Sequence, residues 1–190
     1  MELVKNKFNL KILKNILIIF LCTVVLTISA KIKIPFYPVP MTMQTFVVLL
    51  IGISLGWKIG LATVSLYLFE GIVGFPVFSG TPEKGIGFNY FVGPTMGYLI
   101  GFLVAVCISG IFDYKDIFKS NILEFLKTYI KLLIAVSFIY LFGLIWLANL
   151  IGWEKPIFSL GAKPFLLAES FKLFLLTLIA GKFSKLRNFI

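Results

Sequence analysis

The sequence predicts an all-α membrane protein, a single bundle of about six spanning helices. Three observations carry that prediction. Apolar residues make up 59% of the 190 residues and charged residues 14%, against about half and about a quarter in a soluble domain. The mean hydropathy is +1.03. Long apolar runs follow one another closely enough that residues 1–190 read as one integral membrane domain in a lipid bilayer.

The elements follow in order. Residues 1–15 are polar and basic, and the apolar run after them predicts a first helix over 12–30. That run is long for a signal-peptide core, and further spans follow at once. An uncleaved helix is therefore preferred to a leader ending at Ile28-Ser29-Ala30. Pro35, Pro38 and Pro40 forbid regular helix and predict a stiff, extended loop. Gln44 enters the next apolar run, predicted as a helix over 43–56. Gly56-Trp57-Lys58 is a tight break, and a third helix is expected over 58–74. Glu70, near the end of that helix, reads as an interfacial or loop-anchoring residue. Residues 75–93 form a long loop punctuated by Gly and Pro, of the kind that makes lids and binding loops.

That loop carries Asn89 and Tyr90, an amide beside an aromatic with a polar tip. The pair suits a heterocyclic ligand and equally suits an interfacial aromatic belt. Gly93, Gly97 and Gly101 recur every fourth residue, a spacing that lets two helix backbones approach closely. The fourth helix is expected over 94–111. The mixed charges of 112–131 suit an inner connection with an amphipathic start to the fifth helix, expected over 128–151. Residues 152–162 read as an outer loop and 163–183 as the sixth helix.

The sixth helix holds the principal anomaly. Glu169 and Lys172 sit three apart in an almost wholly apolar run, so they share one helix face. They lie about 9 and 13 Å along the axis from Lys163, in hydrocarbon about 30 Å thick. Each charge costs about 2.5–3.5 kcal/mol at such depth, so both are expected to face a protein interior or a polar cavity. The functional reading makes them the floor of a small-molecule site. The bland reading makes them a neutralised pair that ties helices together.

Charge also sets orientation. With the N-terminus inside, the N-terminal lysines, Lys58, the basic residues of 112–131 and those of the C-terminal tail all fall inside. Lys31, Lys33, Lys84, Lys155 and Lys163 fall outside. The inner excess agrees with the positive-inside rule and predicts both termini on the cytoplasmic side of a bacterial plasma membrane. It also puts the proline loop, the Asn89 loop and the start of the sixth helix on one outer side.

Several function classes are excluded. The sequence has no His, so no His-based acid–base pair or triad exists. No Cys/His/carboxylate cluster has metal-ligand spacing, and no phosphate-cradling glycine loop occurs. The net charge of +10 flanks apolar runs as topology signals, without the basic face that nucleic-acid binding needs. No catalytic residue, metal site or cofactor is expected, and ATP-driven work would need a partner.

The order Pro38-Val39-Pro40-Met41-Thr42-Met43-Gln44-Thr45, then Gly74-Phe75-Pro76-Val77-Phe78, then Gly93-Pro94-Thr95-Met96-Gly97-Tyr98-Leu99, then Pro164-Phe165-Leu166 with Glu169 and Lys172 resembles the BioY family. Members are the substrate-binding (S) components of energy-coupling-factor biotin transporters, and the likeness runs over about residues 30–181. It implies a six-helix bundle of the S-component type with its vitamin site near the outer face, closed by loops. It also implies biotin as the transported ligand. Glu169, where the family usually has Asp, and Lys172 would contact it, and Asn89 would bind its ring. Tyr90 and Gln44 complete the expected substrate-binding set. The likeness implies a transmembrane coupling subunit and ATPase subunits as partners. The family's Ala-x-x-x-Ala pair on the first helix is replaced here by Thr23 and Thr27. The alternatives are an S component for another vitamin, a small membrane enzyme using Glu169 and Lys172, and a structural membrane subunit.

Overall fold

The computed structural model describes residues 2–83 and 85–189, with side chains from Leu10 onward. Lys84, one of the lysines expected outside, lies beyond the described residues. The chain is mostly helical. Among the described residues, four stretches are long and apolar enough to cross a membrane: Leu10–Lys31, Gln44–Val73, Ile122–Ile151 and Ile157–Phe189. Met96–Ile111 is an apolar but shorter helix.

Helix α1 spans Glu2–Lys31 and so begins well before the expected residue 12. Its first turns contain Lys, Asn, Leu and Glu but no Gly or Pro, and nothing there stops helix propagation. Leu10, Leu13, Leu17, Phe20 and Leu21 are exposed, whereas Thr23, Leu26, Ser29 and Ala30 are buried. The buried set recurs every three to four residues, a stripe one helix face wide. After α1 the proline loop folds back on itself. Strands β1 (Lys33–Ile34) and β2 (Met41–Thr42) pair antiparallel, consistent with the extended backbone that the prolines impose.

Helix α2 spans Gln44–Val73 but is interrupted at Gly56, whose backbone (φ 77°, ψ 171°) is not helical. A positive φ of that kind favours glycine, so the break lies where Gly56-Trp57-Lys58 predicts one. Arg187 from the C-terminal tail satisfies carbonyls freed beside it. Its guanidinium donates to Ile53 O (2.8 Å) and Gly52 O (3.2 Å), and also to Phe112 O (2.9 Å). The 75–93 segment contains one short helix, α3 (Phe88–Phe91).

Helix α4 (Met96–Ile111) packs between α2 and α5 (Ile122–Ile151). Gly97 and Gly101 make the contact with α5. A Cβ on Gly97 would lie 2.4 Å from Phe142 O, and one on Gly101 2.6 Å from the Ile139 Cα. Gly93 falls before the helix, where its carbonyl accepts from the Trp146 indole (2.9 Å). Helix α5 begins six residues earlier than expected. Asn121 caps it by accepting from the Glu124 N–H (3.4 Å), a start signal concealed among the mixed charges of the connection. The segment after α5 holds α6 (Ile157–Gly161) and a 3₁₀ turn over Lys163–Phe165. Helix α7 (Leu166–Phe183) follows. Pro164 sits in that turn, so the regular helix starts three residues after the expected 163.

Candidate functional site

Helix α7 carries Glu169 and Lys172 on the face it presents to the bundle. Each residue is only 6% exposed, so neither faces lipid. The Lys172 ammonium donates to Glu169 Oε1 (2.8 Å), Thr45 Oγ1 (3.0 Å) and Thr42 O (2.7 Å). Thr45 in turn donates to Glu169 Oε1 (2.9 Å). An ammonium has three protons, and all three have protein acceptors here. One carboxylate oxygen takes two hydrogen bonds, while the other, Oε2, is buried without a hydrogen-bond partner among the described residues.

Glu169 lines a cavity built from segments far apart in the chain. The proline loop and the start of α2 supply Val39, Pro40, Met41, Thr42, Gln44 and Thr45. The 75–93 segment supplies Ser79 and Tyr90. Thr95, Tyr98, Leu99 and Phe102 come from α4 and its approach, Ile139 and Tyr140 from α5, and Phe165 from the turn before α7. The cavity volume is about 50 Å³. The three segments expected to converge therefore do so around one hollow.

The polar groups of the wall are mostly fixed. The Gln44 amide donates to the Tyr67 hydroxyl (2.8 Å), which donates to Val77 O (3.0 Å). The Tyr90 hydroxyl donates to Ser79 O (2.7 Å), and its ring stacks on Phe78 at 4.8 Å. Burial holds the Tyr90 phenol above its ordinary pKa, partly offset by a hydrogen bond with Thr95. It stays a neutral hydroxyl. Beneath the loop, Lys31 at the end of α1 donates to Pro76 O (2.8 Å), Phe78 O (3.0 Å), Thr81 O (3.1 Å) and Thr81 Oγ1 (3.0 Å). That ammonium ties the loop down over the cavity.

Of the expected residues, Glu169, Gln44 and Tyr90 meet at the cavity. Lys172 stands behind Glu169, outside the lining set. Asn89, next to Tyr90 in α3, is exposed and also outside that set. Glu70 accepts from Thr23 (2.9 Å), anchoring α2 to α1 away from the cavity. Thr23 is accordingly buried against α2. Sequence reasoning singled out neither Thr45, Ser79 nor Tyr140. Among the described residues, no three His, Cys, Asp or Glu side chains cluster as metal ligands.

A family model described as the BioY family matches residues 4–189. The chain is 34% identical over 169 residues to a probable biotin transporter BioY of Pyrococcus horikoshii. That match covers 89% of this chain and 95% of the relative. It is also 34% identical to the biotin transporter BioY of Thermotoga maritima, over 86% of this chain and 92% of the relative. A solved crystal structure of the S-component for biotin from an ECF-type ABC transporter superposes with a TM-score of 0.70. The identity there is 27%, over 93% of this chain and 94% of the other.

Proposed function

This chain belongs to the BioY family, and from that premise we propose that the cavity around Glu169 captures biotin for uptake. It is a transporter component rather than an enzyme. Biotin has a ureido group with two N–H donors and a carbonyl, an apolar thioether ring and a carboxylate-tipped chain. The single observation that carries the assignment is Glu169 Oε2, a buried carboxylate oxygen with no hydrogen-bond partner among the described residues. An acceptor left unpaired in a buried site costs about 1–3 kcal/mol, more for a charged group. A ligand N–H recovers that cost. The ureido donors suit it, and Leu99, Phe102, Ile139 and Phe165 suit the apolar ring and chain.

Lys172 acts through Glu169 in this reading, because its protons are already committed. Gln44 and Tyr90 shape the wall. Asn89 would reach the ligand only by a rearrangement of the 75–93 loop. The enclosed volume is small for a bicyclic ligand, so binding widens the cavity by moving that loop, which Lys31 tethers.

The finer arrangement is of a piece with this reading. Counting the two halves of α2 separately, with α1, α4, α5 and α7, gives six helices. The inner excess of Lys and Arg supports a topology with both termini in the cytoplasm and the cavity on the outer side of a bacterial plasma membrane. With no phosphate-binding loop in the chain, uptake draws on a transmembrane coupling subunit and ATPase subunits. Isothermal titration of the detergent-purified protein tests the assignment. Biotin binds, thiamine and riboflavin do not, and Glu169→Gln weakens biotin by at least about tenfold. A protein that ignores biotin, or a Glu169→Gln variant that binds it unchanged, overturns the assignment.

A further inference from the structure

Among the described residues, four buried side-chain polar atoms lack a hydrogen-bond partner: Asn15 Oδ1, Ser54 Oγ, Ser79 Oγ and Glu169 Oε2. Only Ser79 and Glu169 line the cavity. They stand on different walls, one on the 75–93 loop and one on α7. Ser79 is 2% exposed. Its backbone is held closely. Lys31 grips the carbonyls of Phe78 and Thr81 on either side, and Tyr90 grips the carbonyl of Ser79 itself. An unpaired hydroxyl buried in a cavity wall is rare, because buried polar groups are nearly always satisfied.

We propose that Ser79 is a ligand-contacting, specificity-determining residue whose hydroxyl donates to an oxygen of the ligand while Glu169 Oε2 accepts a ligand N–H. The cavity thus selects a molecule carrying both groups at once. This rests on the reading of the cavity as the biotin site. Biotin offers two such oxygens, the ureido carbonyl and the carboxylate. Thr45 and Lys172 do not take part in this clamp directly. They hold Oε1 and so leave Oε2 as the free atom.

The test is Ser79→Ala in the full-length, detergent-purified protein. The hydroxyl has no partner among the described residues, so the ligand-free variant should unfold at the wild-type temperature or slightly above it. Its dissociation constant for biotin should rise about tenfold, the value of one hydrogen bond. Two analogues locate the contact: biotinol, which lacks the carboxylate, and 2-iminobiotin, in which the ureido oxygen is replaced. The Ser79→Ala penalty should vanish for one of them and persist for the other. The proposal is overturned by a biotin dissociation constant within twofold of wild type. It is equally overturned by an equal penalty on all three ligands, or by a lowered unfolding temperature that accounts for the loss. Failure of the wild type itself to bind biotin removes the site reading instead, which separates the two.

Discussion

Removing Lys172 tests how the buried charges divide their labour. In Lys172→Met the side chain keeps its approximate length and loses its ammonium. Three hydrogen bonds vanish, to Glu169, Thr45 and Thr42, and Glu169 is left buried with no cation beside it, keeping the hydrogen bond from Thr45. Removing one partner of a buried pair costs about 3–5 kcal/mol, so thermal stability in detergent should fall clearly. Glu169→Gln removes the anionic acceptor for the ligand, a charge-assisted bond of about 1.5–3 kcal/mol. That is about 10- to 150-fold in biotin affinity. The decisive reading comes from the double variant. If Lys172 serves the ligand only by holding Glu169, then Lys172→Met in the Glu169→Gln background adds little further loss of affinity. The double variant also regains stability relative to Lys172→Met, because no lone charge remains. The assay is biotin titration calorimetry with thermal unfolding of the same four proteins, a double-mutant cycle. Losses of affinity that add in full would show that Lys172 touches biotin independently, and would refute the division of roles.

Other consequences are more local. Lys31→Met removes the ammonium whose contacts with four oxygens tether the 75–93 loop. Biotin should then dissociate faster, on the order of tenfold, as read by chase of labelled ligand; an unchanged rate would mean the tether does not gate the cavity. Glu70→Gln disturbs only the tie to Thr23, so its biotin dissociation constant should stay within about twofold of wild type; a larger loss would bring Glu70 into the site. Gly97→Ala sets a Cβ 2.4 Å from Phe142 O and should cost about 1–3 kcal/mol through forced separation of α4 and α5. An unfolding temperature equal to wild type would show that the two helices are not locked at that crossing.

What was readable in the sequence tracks what is chemically rare in an apolar chain. Glu169 and Lys172 stood out because charge in hydrocarbon is expensive, and burial on one face of α7 follows from their spacing. Gly56 and the Gly97–Gly101 pair were legible because a positive φ and a close helix crossing both need a missing Cβ. Thr45 and Ser79 were not legible. A hydroxyl in an apolar helix or in a loop is ordinary; in a helix it can bond back to its own backbone, as Thr63 does to Ile59 O and Thr177 to Leu173 O. Only the folded chain shows that Thr45 turns to Glu169 and that the Ser79 hydroxyl lacks a partner among the described residues. Asn89 illustrates the opposite case. It is chemically suited to a ring, yet the turn of α3 that buries Tyr90 leaves Asn89 exposed. Adjacent residues on a helix do not share a face.

The most direct measurement is a crystal structure of this protein grown with biotin. The account predicts the bicyclic ring inside the cavity between β2, α4, α5 and α7, with a ureido nitrogen within about 3.2 Å of Glu169 Oε2 and Lys172 still bonded to Oε1. Biotin seated elsewhere, or a Glu169 carboxylate that makes no contact with it, would contradict the account.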